Sequence, residues 1–102
     1  MSPTSVQSLQ SVVEAVLADA VKQTGLDRDS IEVLSAESVT WPDGSLGCPK
    51  PGVMYTQALV PGYRILLKAG DRTLNYHANR RGYFVLCPSA VATPPVDGAV
   101  ER

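Results

Sequence analysis

The chain is short of the residues that build reactive centres. Its 102 residues include one histidine, His77, one tryptophan, Trp41, one phenylalanine, Phe84, and two cysteines, Cys48 and Cys87. That inventory cannot form a four-cysteine zinc site or a multi-histidine centre, so no metal and no other cofactor is expected. An excess of one charge is also missing: nine Lys+Arg stand against ten Asp+Glu, for a formal charge of −1. This excludes a strongly basic nucleic-acid binder and an acidic solvating tail. No apolar run approaches the ~20 residues of a membrane span. The opening Met1-Ser-Pro-Thr-Ser has neither a basic stretch nor a following apolar one, so no signal peptide is read. The expected compartment is therefore the cytoplasm, with reduced thiols. No internal repeat is visible.

What is present points to a single domain. Apolar residues make up 44% and charged residues 19%, ordinary values for a globular chain. The charge is unevenly spread, with seven acids and two bases in residues 1–49, then six bases and one acid in residues 50–88. Complementary halves of one fold are preferred to a basic face for an anionic partner, since no aromatic-plus-basic RNA-binding motif appears.

Residues 4–24 read as an amphipathic helix, with Leu9, Val12, Val13, Val16, Leu17, Ala20 and Val21 at i, i+3, i+4 spacing. Thr4 with Gln7 fits a capping box and Gly25 a left-handed stop. Ile31–Trp41 reads as a strand whose alternation fails unless a bulge lies near Ser35–Ser38. A further strand starts near Ala58, is interrupted at Pro61-Gly62 and is clearest over Tyr63–Lys68. Gly70-Asp71 suits a type II′ hairpin turn, which sets Ala69 opposite Arg72, Leu67 opposite Leu74, Ile65 opposite Tyr76 and Tyr63 opposite Ala78. A second reversal over Asn79–Gly82 then sets Ala78 opposite Tyr83, Tyr76 opposite Val85 and Leu74 opposite Cys87. On that register the core face carries Tyr63, Ile65, Leu67, Leu74, Tyr76, Val85 and Cys87. The other face carries Arg64, Lys68, Thr73, Asn75, His77, Phe84 and Leu86.

The fold class expected is α+β, one N-terminal helix packed on one face of a four-stranded antiparallel meander. The domain covers residues 1–88, and residues 89–102 form a flexible tail. By topology it is similar to cystatin-type or PepSY-type modules, a likeness that carries no function.

The segment Pro42–Gln57 holds three of the eight prolines and three of the eight glycines. Cys48-Pro-Lys-Pro-Gly52 is stiff because each proline fixes its own φ and biases its predecessor toward extended backbone. Long rigid loops are usually functional or held by their own contacts. The string Trp41-Pro-Asp-Gly-Ser-Leu-Gly-Cys-Pro-Lys-Pro-Gly52, followed by Met54-Tyr55, Gln57, Pro61-Gly62-Tyr63, Ile65, Tyr76-His77 and Leu86-Cys87, resembles a family of small bacterial proteins of uncharacterised function. The resemblance runs over about residues 15–88, and many relatives look exported or lipid-anchored. It implies a pattern without an activity.

Two readings of the cysteines follow. Cys48 and Cys87 form a disulfide that pins the loop to the last strand, or Cys48 is a nucleophile with His77 as its base. On the register above, His77 and Cys87 point to opposite faces, so the loop reaches one of them and not both. Two inert buried thiols remain a third possibility. Asp43 is either an acid or the former of the Pro-Asp-Gly turn. Trp41 and Tyr55 are either aromatic anchors of a binding surface or a small core beneath the loop.

The leading expectation is a non-enzymatic binding or regulatory module for a protein or peptide. Its contact residues are Trp41, Asp43, Leu46, Tyr55, Arg64, His77 and Phe84. The alternative is a small thiol-dependent enzyme or redox protein using Cys48 with His77. Self-association through an open edge strand is a further option.

Overall fold

The helix starts one turn later than the capping-box reading implies. The computed structural model describes residues 7–88 and 92–96, and helix α1 spans Leu9–Thr24. Its N-cap is Ser8, whose Oγ accepts from the Ser11 amide at 3.1 Å. Gln7 cannot join the helix because its backbone is committed elsewhere. Its amide donates to the Arg80 carbonyl, and its carbonyl accepts from the Tyr63 hydroxyl at 2.8 Å. Thr4, the other half of the expected box, lies outside the described residues. At the far end Gly25 takes φ 76° and donates to the Val21 carbonyl, the left-handed stop that a side chain would disfavour.

After a 3₁₀ turn at Arg28–Ser30 come strands β1 (Ile31–Trp41), β2 (Val60–Ala69), β3 (Arg72–Asn79) and β4 (Phe84–Leu86). They form one antiparallel sheet in the order β1-β2-β3-β4. No helix among the described residues is long and apolar enough to cross a membrane.

The bulge in β1 falls at Leu34, between Val33, opposite Leu67, and Ser35, opposite Leu66. One inserted residue reverses the parity of everything after it. Ile31 therefore lies on the helix side, whereas Val39 and Trp41 are delivered to the opposite side.

β2 is continuous through Pro61. Alternation from the two-residue turn aims the nitrogen of Pro61 toward β3, and β3 ends at Asn79, short of it. The missing amide hydrogen thus breaks no ladder bond. The turn itself is as expected: Gly70 has φ 65° and Asp71 does not share a positive φ, the type II′ pattern.

The β3–β4 register differs by one residue from the sequence expectation. Ala78 faces Phe84, His77 faces Val85 and Tyr76 faces Leu86. The hairpin loop is Arg80-Arg81-Gly82, closed by the Asn79 amide donating to the Tyr83 carbonyl. Gly82 takes φ 96°, and the Asn79 Oδ1 accepts from the Arg81 and Tyr83 amides. This is a three-residue loop with a left-handed glycine, one residue shorter than the four-residue reversal anticipated. As a consequence Phe84 and Leu86 join the helix side, while Val85 and Cys87 join His77 on the other.

The main core lies between α1 and the sheet. Val12, Val16, Leu17 and Ala20 pack on Ile31, Tyr63, Ile65, Leu67, Ala69, Leu74, Tyr76 and Ala78. Phe84 and Leu86 close its edge, with the Phe84 ring set edge-on to Tyr76 at 5.7 Å. Tyr76 crosses this layer, and its hydroxyl donates to Asp19 Oδ2 at 2.7 Å. Burial, and then the Asp19 carboxylate, raise its pKa well above the ordinary phenol value. Because Leu17 is fully buried, Leu17→Ala is expected to lower the unfolding free energy by about 2–5 kcal/mol in urea titrations.

Candidate functional site

On the sheet face opposite α1, the Trp41–Gln57 loop folds back and builds a second, smaller core. Its base is a run of tight turns. Asp43 Oδ1 accepts from both the amide (2.9 Å) and the hydroxyl (2.6 Å) of Ser45. The Leu46 amide donates to the Asp43 carbonyl and the Cys48 amide to that of Ser45. Leu46 sits at φ 57° and Gly47 at φ 73°. For leucine that backbone conformation costs roughly 1–2 kcal/mol, so the surrounding contacts must impose it. They are easily found. The turn aims the Leu46 carbonyl into the sheet, where His77 Nδ1 meets it at 2.6 Å.

Four attachments hold the loop. The first is the covalent bond between Cys48 and Cys87, with Cα atoms 5.7 Å apart. In the second, the buried Trp41 indole stacks on the His77 ring at 4.3 Å. Trp41 Nε1 also donates to the Ala78 carbonyl at 3.0 Å. It reaches that oxygen by passing over Gly62, where any Cβ would collide with the carbonyl and the indole. The third is the hydrogen bond from His77 to Leu46. The fourth comes from residues 92–96: the Thr93 amide donates to the Gly47 carbonyl, the Val96 amide to that of Thr40, and Pro95 is fully buried. Of the expected flexible tail, residues 89–91 and 97–102 lie outside the described residues, and 92–96 lie against the loop.

Since a carbonyl only accepts, His77 Nδ1 carries the hydrogen. The side chain is 1% exposed. Burial lowers its pKa below the ordinary imidazole value, opposed by the Leu46 carbonyl and assisted by the Arg64 guanidinium. The ring is neutral at pH 7. Arg64 itself is turned to Glu37, whose Oε2 accepts from its Nε at 2.9 Å.

The loop's outer half contrasts with this base. Lys50-Pro-Gly-Val53 forms a turn closed by the Val53 amide on the Lys50 carbonyl, with Gly52 at φ 80°. The Lys50 amide donates to the Tyr55 hydroxyl, and the Gly44 amide to the Thr56 carbonyl at 2.8 Å. Between these supports Met54 is 93% exposed and Val53 is also exposed, as is Leu59 just past the loop.

The residues singled out from the sequence are therefore distributed as follows. Trp41, Leu46 and His77 are buried together in the loop core. Asp43 caps the turn and Tyr55, half-buried, braces the loop. Arg64 is on the loop side, paired with Glu37. Phe84 is not with them: the register places it on the helix side, so an Arg64/His77/Phe84 face does not form. The same shift corrects the expectation that the loop could meet Cys87 or His77 but not both, because it meets both. Cys48 Sγ is bonded to Cys87, so in this state it offers no thiol for His77 to deprotonate. Sequence reasoning passed over Val53, Met54 and Leu59. For Val53 and Met54 the signal was apolar side chains inside a Pro/Gly-rich segment; Leu59 lies at the start of the strand read from Ala58.

The family model described as "Domain of unknown function (DUF8738)" matches residues 13–87, a span that holds the whole loop, His77 and both cysteines. No curated protein and no solved structure matches the chain.

Two measurements check the latch. The disulfide closes 39 residues; replacing both cysteines by serine is expected to cost about 4 kcal/mol in denaturant titrations. For His77 the folded pKa lies below the ordinary ~6.5. Between the two values the unfolded chain binds the extra proton. Its stabilising contribution is thus complete above pH ~6.5 and is lost as the pH falls toward the folded value. Urea midpoints should decline from pH 7 to pH 5, and His77→Gln, though less stable throughout, should lose that slope.

Proposed function

The chain belongs to the DUF8738 family, whose function is unknown, and from its own geometry we propose that it is a non-enzymatic binding module presenting the tip of the 41–57 loop to a protein partner. The observation that carries this reading is the contrast within the loop. Its base is fixed by the disulfide, Trp41 and His77, while Val53 and Met54 of the loop, and Leu59 just after it, are exposed to solvent. Apolar side chains held out on a rigid support bind at low entropic cost, because little is left to order on contact. The contact residues move outward from those anticipated. Trp41 and Leu46 act as supports, and the apolar tip makes the contact.

A disulfide persists in oxidising compartments. The same reading therefore puts the module outside the reducing cytosol, in keeping with the exported look of the bacterial proteins its loop motif resembles.

The test is site-specific photo-crosslinking in the source cell. A photoreactive residue at position 54 or 59 should give one discrete adduct, and Val53→Asp should abolish it. The same residue at Asp71, on the far turn of the sheet, should give none. Equal labelling from positions 54 and 71, with circular dichroism showing all variants folded, would overturn the reading.

A further inference from the structure

The sulfur of this chain lies in two cysteines and two methionines. Cys48 and Cys87 are bonded to each other and buried, so neither offers a thiolate to an oxidant. Met1 lies outside the described residues. Met54 is the opposite case from the cysteines. At 93% exposure it carries the one exposed sulfur among the described residues. Trp41, whose indole a strong oxidant would also attack, is fully buried.

The backbone around Met54 is fixed on both sides. The Val53 amide closes a turn on the Lys50 carbonyl, the Lys50 amide donates to the Tyr55 hydroxyl, and the Gly44 amide donates to the Thr56 carbonyl. Met54 thus leaves a braced stretch of chain and carries its thioether into solvent. An oxygen added to that sulfur meets water and no packed neighbour, so the loop keeps its shape. What changes is the surface. Lys50 is the one charged residue between Asp43 and Arg64, which leaves Val53 and Met54 as an apolar, uncharged end. A sulfoxide replaces a flexible apolar group there by a polar one.

We propose that Met54 is a modification site, a thioether that hydrogen peroxide converts to the sulfoxide, and that this conversion releases the partner held by the loop tip. The release rests on the binding reading given above; the modification does not. A sulfur lone pair attacks one peroxide oxygen, and an S–O bond forms as the O–O bond breaks. The departing hydroxide takes the proton of the transferred hydroxyl, which leaves a sulfoxide and one water. The thioether loses two electrons and the peroxide gains two. Susceptibility follows exposure and the supply of competing thiolates. The closed disulfide removes the competitors and the braced loop supplies the exposure. A sulfoxide oxygen pressed without a donor against an apolar partner surface weakens the contact about tenfold or more.

The test treats the intact, disulfide-bonded chain with hydrogen peroxide, stops the reaction with catalase and maps the product by peptide mass spectrometry. Met54 is expected to react within about threefold of the rate of N-acetylmethionine methyl ester, the fully exposed limit, with Trp41 and the disulfide unchanged. A rate more than about tenfold slower than that limit overturns the site. The urea midpoint of the oxidised chain should match that of the untreated one; a lower midpoint would mean damage to the fold and would overturn the release. Release is read on chains carrying a photoreactive residue at position 59, oxidised or untreated, then mixed with an extract of the source cell. Full conversion of Met54 should cut the adduct at least about tenfold. In Met54→Leu the treated and untreated yields should be equal. An adduct that survives full conversion overturns the release and leaves the loop-tip reading standing, and so does a loss on treatment in Met54→Leu, which assigns the effect to another group. An adduct absent even from the untreated chain overturns the loop-tip reading and the release with it, while the mapped rate still decides the site.

Discussion

The inserted residue Leu34 in β1 decides which side of the sheet Trp41 occupies. Before it, β1 shares the helix-side core through Ile31; after it, Val39 and Trp41 face the other way. Without the insertion the indole would compete with α1 for space, and the loop would close over a polar surface. With it, Trp41 crosses Gly62, reaches the Ala78 carbonyl and lies on His77. The loop, the disulfide and residues 92–96 are all arranged around that ring.

The sheet thus serves two cores of different character. The helix side is aliphatic and continuous, and its stability comes from area removed from water. The loop side is small and mixed, with one indole, one imidazole, a disulfide, a leucine and a proline. Its hydrogen bonds to backbone carbonyls fix geometry more than they add free energy, since each contributes on the order of 1 kcal/mol net. The neutral state of His77 belongs to this design, because a charged ring would be buried beside the Arg64 guanidinium.

The helix, four strands, their order and the first hairpin register could be read from periodicity and from Gly70-Asp71. The helix start could not, because Ser8 competes with Thr4 as a cap and the tie of Gln7 to Arg80 and Tyr63 is a long-range contact. The β3–β4 register turned on whether Asn79 belongs to the loop or to the strand. Asn79-Arg-Arg-Gly82 reads equally as a four-residue loop or as Asn79 plus a three-residue loop, and the two choices send Phe84 and Cys87 to opposite faces. That single slip separated His77 from Cys87 in the sequence reading, and with it the two halves of the latch. The loop's rigidity was legible in its prolines. The division between a buried base and an exposed tip was not, because Trp41, Leu46, Met54 and Tyr55 are all apolar or aromatic and local composition does not rank them.

The Cys48–Cys87 bond also determines how the molecule responds to a mechanical load. Tension applied through the chain ends passes from Cys48 to Cys87 directly and bypasses the residues between them. The outer loop, β2, β3 and β4 form a closed ring that such a force cannot straighten, withholding roughly 130 Å of contour. Under pull, α1 and β1 can be stripped away while the ring keeps its length. An unfolding machine that draws in one strand at a time would therefore arrive at a covalent loop it must either admit as a doubled chain or release.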